Sequence, residues 1–233
     1  MSPTSRRLLV VSNRLPVVLE RTPAGWALKG GSGGLVSALA PVLSHRGGLW
    51  IGWPGLALEK GGDWEGVIEG GFRERGYDLV PVLLSEEEVR GFYEGFSNAV
   101  LWPLFHDLVS SCDFEPSFWY SYLDVNKKFA DAVVEQSRAD DFVWVQDYQL
   151  IHVAEFVGER VDRQIGFFLH IPFPPLDPNR RSKVAIRPCN CAIVACCAAI
   201  TASNSSRVAV AGSNLNAITD QTSSPAARIA PRL

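Results

Sequence analysis

The chain has 233 residues, a net charge of −3 and an apolar content of 47%, enough for one large domain or two small ones. Nothing in that balance calls for a nucleic-acid partner. No apolar run approaches a membrane span, and four apolar residues before Ser12 are too few for a signal-peptide core, so a cytoplasmic protein without a membrane partner is expected.

Leu8–Val11 is a continuous aliphatic run followed by Ser12-Asn13-Arg14-Leu15-Pro16, which reads as a buried parallel strand ending at a sheet's carboxyl edge. Val17 to Leu28 reads as a hairpin with Pro23-Ala24-Gly25 in its turn. Next comes Gly-Gly-Ser-Gly-Gly, and then Leu35, Val36, Leu39, Val42 and Leu43 at helical spacing, so a helix is expected from about Gly34. Pro41 falls inside this pattern, where it removes one helical hydrogen bond and is a source of bending. A strand edge, a guanidinium and a glycine-opened helix N-terminus together suit a phosphate, although glycine-rich turns of this kind also serve packing alone. The glycines fit neither the dinucleotide fingerprint, since Val36 stands where the third glycine belongs, nor the P-loop, since no Gly-Lys-Ser/Thr follows. Hydride transfer and ATP hydrolysis both lose ground.

Gly47 to Gly55 reads as a short buried strand opening into a Pro-Gly loop, with Trp50 and Trp53 expected on the same side. Two strand-like runs are expected around Val67 and Leu79. Ser85 and Glu88 have capping-box spacing, and the helix they start should bury Val89, Phe92, Tyr93 and Phe96. An apolar segment from Ser97 to His106 is expected to break at Pro103. Pro116 should open a helix with Phe118, Tyr122, Val125, Phe129 and Val133 as its buried stripe, through Gln136. Asp141 to Asp147 is a strand ending in a carboxylate, Leu150 to Val157 a helix, and Ile165 to His170 another apolar strand. The alternation of strands and helices indicates an α/β fold with a mainly parallel sheet covered on both faces.

The tail differs from everything before it. All 24 aromatic residues lie before Pro178, and the charge is about −9 before that point and +6 after it. Four of the five cysteines (Cys189, Cys191, Cys196, Cys197) fall within nine residues. A metal site lacks a second ligand pair, and disulfides are out of place in a cytoplasmic chain. The preferred reading is a shifted reading frame or a decayed end, without large side chains to fold around. The expected division is therefore a lobe over residues 1–177 and an unrelated tail over 178–233.

Arg14, Asp147 and His170 each stand at the carboxyl end of an expected strand, where open α/β sheets bind ligands. Each has a plainer reading: Asp147 as a helix N-cap, His170 as a core histidine, Arg14 as an ion-pair partner. Trp53, Tyr93 and Trp102 are core aromatics, or else faces for a sugar ring near a polar cleft. Ser-Asn-Arg-Leu-Pro, Gly-Gly-Leu, Gly-Trp-Pro-Gly, Phe-Ser-Asn-Ala-Val-Leu-Trp-Pro-Leu-Phe-His, Trp-Val-Gln-Asp-Tyr-Gln-Leu and Ile-Gly-Phe-Phe-Leu-His-Ile-Pro-Phe-Pro, in that order, resemble trehalose-6-phosphate synthases over about residues 7–177. Gln146-Asp147-Tyr148-Gln149 is similar to actinobacterial members.

The resemblance implies a GT-B glycosyltransferase in which a Rossmann-like N-terminal lobe faces a second lobe, with no essential metal or cofactor. It implies glucose transfer from UDP-glucose to glucose 6-phosphate with retention, giving trehalose 6-phosphate and UDP. By motif, Arg14 would grip the acceptor phosphate, Tyr93 and Trp102 would flank the acceptor with Trp53 nearby, and Asp147 would bond acceptor hydroxyls. Gly34 would face the donor phosphates and His170 the donor glucose, so Asp147 and His170 are the catalytic candidates. The resemblance leaves a homo-oligomer open for intact members. Nothing after Asp177 resembles the family's second lobe, so this chain alone is expected to turn over little or nothing. The alternatives are a sister synthase with another acceptor, such as glycerol 3-phosphate, and a non-catalytic phosphosugar-binding fragment.

Overall fold

The computed structural model describes residues 6–58, 60–172 and 208–212. Its frame is a parallel sheet of β1 (Leu8–Arg14), β4 (Gly48–Trp53), β5 (Asp78–Pro81), β6 (Phe142–Gln146), β7 (Gln164–Leu169) and β8 (Val208–Gly212), in the order β5-β4-β1-β6-β7-β8. The hairpin β2 (Val17–Thr22) and β3 (Gly25–Gly30) forms a separate antiparallel pair turning through Pro23-Ala24. The central strands carry continuous apolar runs, Leu8–Val11 in β1 and Phe142–Val145 in β6, because helices cover both faces. Leu9 and Val11 of β1 pack into one core with Val143, Val145, Phe92, Phe96, Tyr122 and Phe129. Leu8 and Val10 point the other way, into a second core with Trp50, Leu39, Leu43, Trp64 and Ile68.

Helix α1 (Gly34–Arg46) starts where its apolar spacing starts and runs through Pro41. Leu39 and Leu43 lie buried against the second core. Helix α2 (Glu65–Arg75) occupies the segment around Val67, where the sequence suggests a strand. A short apolar run fits either element, and here Trp64 and Ile68, four apart, bury a helical face. The run around Leu79 does form a strand, β5.

Ser85 and Glu88 complete the expected capping box, each side chain bonding the other's backbone N–H at 3.2 and 2.8 Å. From there α3 (Glu86–Glu88), a π-helical segment (Val89–Leu101) and α4 (Trp102–Phe105) run on as one helical stretch. Pro103 does not break it; it falls just after the π-helical segment, in α4's first turn, where a missing N–H costs little. The wide turns are closed by bonds such as Trp102 N–H to the Ser97 carbonyl. Gly91 and Gly95 let this segment lie against α5 (Pro116–Gln136). A side chain at Gly95 would come within 2.6 Å of the Phe118 ring, and one at Gly91 would collide with Ser121. Helix α5 buries Tyr122, Val125, Phe129 and Val133 as its spacing requires, and α6 (Val153–Gly158) completes that face.

Trp50 and Trp53 are on opposite faces, not the same one. Three residues apart on a strand that alternates every residue, Trp50 joins the second core and Trp53 the first. Strand β8 lies within the compositionally distinct tail and pairs with β7 from Ile165–Val208 to Leu169–Gly212. The four clustered cysteines lie outside the described residues. Among the described residues no helix is long and apolar enough to cross a membrane.

Candidate functional site

Strands β1, β6 and β7 are neighbours and parallel, so their carboxyl ends open on one edge of the sheet. Strands in such a sheet stand about 4.8 Å apart. Arg14 ends β1, Asp147 follows β6 and His170 follows β7, and the three expected polar residues therefore share that edge.

The β1–β4 register shifts between Val11 and Arg14, and this bulge turns the chain at the edge. The Ser12 hydroxyl donates to the Arg14 carbonyl at 2.6 Å, and Leu15 N–H reaches the Trp53 carbonyl at 2.9 Å. The Arg14 side chain is exposed and lies 4.3 Å from the centre of the Trp53 ring and 5.7 Å from that of Tyr93. Among the described residues no carboxylate pairs with it. Trp53 is both core and site: it is 3% exposed, yet one face carries the guanidinium and its ring lies 5.8 Å from Tyr93.

Asp147 has φ +71, a left-handed backbone that a residue with a side chain adopts only under strain. It does cap a helical turn, as the plain reading has it, by accepting from Tyr148 N–H at 3.0 Å. The same oxygen accepts from His170 N–H at 3.2 Å, which ties the ends of β6 and β7 together. Burial pushes the Asp147 carboxyl above the ordinary aspartate range, against the pull of those two N–H groups and of His170. His170 is exposed, so it is not a core histidine. Its Nε2 lies 3.0 Å from Gln146 Oε1, a contact that orients the ring.

Tyr148 joins the two groups. Its hydroxyl donates to Asn98 Oδ1 at 3.0 Å, on the π-helical segment that also carries Tyr93. Burial, then the charge of Asp147, then Tyr93 raise the Tyr148 phenol far above its usual range, so it stays a donor. Gln146, Tyr148 and Asn98 were missed as site residues. All three lie within the family-like stretches over residues 96–106 and 144–150, but no local pattern sets them apart from their neighbours there.

Gly34 begins α1 beneath an N-cap, Gly33, that has φ +141 and no side-chain cap. Among the described residues no side chain lies within 4 Å of where a Cβ would stand on Gly33 or Gly34. The first turn is therefore an open set of N–H donors, and Gly31 N–H bonds the Pro16 carbonyl at 2.8 Å, pinning the loop beside the end of β1. Trp102 stands apart from these contacts. It is 41% exposed and stacks on His106 at 4.2 Å. Among the described residues no group of three or more His, Cys, Asp or Glu is placed to hold a metal ion.

The arrangement can hold an anion at a free guanidinium and hydroxyls at a carboxylate, with a second anion facing an open helix N-terminus. Residues 6–181 match the sequence pattern of glycosyltransferase family 20. The trehalose-6-phosphate synthase of Mycobacterium sp. (strain JLS) is 47% identical over 171 residues, covering 72% of this chain and 34% of its own length. The chain thus spans about a third of the curated relatives it matches. An E. coli structure bound with UDP-2-fluoro glucose is 34% identical with a TM-score of 0.55, over 76% of this chain and 36% of that one. An alpha,alpha-trehalose-phosphate synthase (UDP-forming) from Burkholderia xenovorans, in complex with glucose-6-phosphate, is 31% identical with a TM-score of 0.58, over 82% of this chain and 38% of its own.

Proposed function

The chain belongs to glycosyltransferase family 20, and from that premise we propose that it supplies the acceptor side of a retaining transferase that moves glucose from UDP-glucose to glucose 6-phosphate. The observation that carries this reading is Arg14, a guanidinium laid on Trp53 and Tyr93 with no carboxylate partner among the described residues, at the same sheet edge as Asp147 and His170. A free planar fork on a fixed platform is suited to a phosphate.

The acceptor phosphate sits on Arg14, and the hexose ring extends over Tyr93 towards Asp147, which accepts hydrogen bonds from ring hydroxyls. Trp102 closes the outer side of the acceptor. On the donor side, the open first turn of α1 at Gly34 faces the diphosphate, and its N–H groups stabilise charge that grows on the leaving oxygens. His170 faces the donor glucose, its ring orientation held by Gln146. The chemistry needs no nucleophilic carboxylate when the acceptor hydroxyl attacks on the face from which the diphosphate departs, and the hydroxyl's proton passes to that leaving diphosphate. The remaining donor contacts are assigned to a second lobe of the kind the family pairs with this one.

Binding and turnover separate in the test. The 233-residue chain is expected to bind glucose 6-phosphate, to bind glucose at least about tenfold more weakly, and to release no UDP from UDP-glucose with either. Equal binding of glucose and glucose 6-phosphate contradicts the phosphate role. Tighter binding of glycerol 3-phosphate than of glucose 6-phosphate contradicts the acceptor. Steady UDP release contradicts the division of labour between two lobes.

A further inference from the structure

We propose that Gly55 is a positioning residue for Arg14: the absence of a side chain at Gly55 makes the slot in which the guanidinium lies, and so sets the arginine's aim at the acceptor phosphate. This rests on the reading of Arg14 as the phosphate ligand. A Cβ built on Gly55 would collide with Arg14 Nη1 and stand 3.1 Å from its Cζ. Gly52, on the same strand and turn, makes the matching allowance for the backbone, since a Cβ there would stand 2.8 Å from the Arg14 carbonyl carbon and 2.7 Å from Leu15 N. The loop between them is closed by the Trp53 indole, which donates to the Leu56 carbonyl at 3.0 Å while its ring carries the guanidinium.

Gly55 has φ +92, and a turn glycine would ordinarily be explained by that alone. Gly61 separates the two explanations. It has φ +79, yet nothing among the described residues lies within 4 Å of where its Cβ would be. The device also has a chemical logic. An acidic neighbour would orient Arg14 but would also occupy the donors that a phosphate needs, whereas a steric slot and an aromatic face orient it and leave every N–H free.

The test is a double-mutant cycle in the 233-residue chain, read by titration with glucose 6-phosphate and checked by urea unfolding. The clash falls on the far end of a flexible, exposed side chain, so Gly55→Ala is expected to swing the guanidinium aside at little folding cost beyond that of its own backbone. It should weaken glucose 6-phosphate binding at least about tenfold, and weaken it no further in an Arg14→Ala background, while Gly61→Ala, also at positive φ, leaves binding unchanged. The proposal is overturned if Gly55→Ala binds like the unaltered chain, if its cost persists in the Arg14→Ala background, if it fails to fold, or if Gly61→Ala weakens binding as much. If instead Arg14→Ala binds glucose 6-phosphate like the unaltered chain, the phosphate reading falls and the aiming role with it.

Discussion

Arg14→Ala is expected to weaken glucose 6-phosphate binding by about 100-fold, measured calorimetrically or by NMR titration, with little change in stability. Two charge-assisted hydrogen bonds from one guanidinium to a phosphate contribute roughly 1.5–3 kcal/mol each, and each 1.4 kcal/mol is about tenfold in affinity. The lower part of that range applies, because the side chain is exposed and already sheds some interaction to water. Stacking on Trp53 at 4.3 Å works in the opposite direction, since a guanidinium already held in place loses little freedom on binding. Arg14→Lys should fall between, about tenfold weaker than arginine, because it keeps the charge and loses the planar fork. Folding is spared because no residue among those described depends on Arg14 for charge balance.

Arg7→Ala is expected to act on folding alone, and heavily. The Asp141 side chain has no solvent exposure and accepts from Arg7 Nε at 3.0 Å, Arg7 Nη2 at 2.7 Å and Arg138 N–H at 2.6 Å. Arg7 also donates to the Gln136 carbonyl at 2.8 Å, so one side chain ties the end of α5 and the approach to β6 onto the first strand. Removing it leaves a buried carboxylate without its charge partner, which costs about 3–5 kcal/mol. Burial would raise the Asp141 carboxyl, but Arg7 and the Arg138 N–H more than offset it and hold it below the ordinary aspartate value. A carboxyl whose folded pKa lies below its unfolded one stabilises the fold above the unfolded value and loses that contribution as pH falls through the folded one. Urea unfolding across pH should therefore show an acid limb that Asp141→Asn flattens. An unchanged limb in that variant contradicts the assignment.

What the sequence reveals and what it conceals divide along physical lines. Leu8–Val11 and Phe142–Gln146 are legible as strands because their apolar runs, rich in valine or aromatic residues, are short and are closed by polar turn residues. Ser85–Glu88 is legible because a capping box is local chemistry. Val67 is misleading because a short apolar run among glycines fits two elements, and only packing of Trp64 and Ile68 decides. The helix after Ser85 reads as ordinary from Val89, Phe92, Tyr93 and Phe96. Its widened turns show only further on, where Phe92, Phe96, Val100 and Phe105 are all buried at steps of four and five.

The candidate site follows the same division. Arg14, Asp147 and His170 are legible because each ends an apolar strand, and parallel sheets gather such ends on one edge. Trp53 and Tyr93 lie beside Arg14, and the expectation that Trp50 shares the side of Trp53 is wrong by one step of alternation. The Tyr148–Asn98 bond joins residues 50 positions apart, and the Gly55–Arg14 slot joins a turn to a strand end. Contacts of that reach leave no periodic trace in a sequence.

The central claim is that the rim built from Arg14, Tyr93 and Asp147 receives a phosphorylated hexose, and a crystal structure of the chain with glucose 6-phosphate tests it most directly. The account predicts the phosphate within hydrogen-bond reach of the Arg14 guanidinium, with ring hydroxyls turned towards Asp147. A phosphate held instead in the groove of about 860 Å³ beside Lys60 and Lys128, with the Arg14 rim empty, would contradict it.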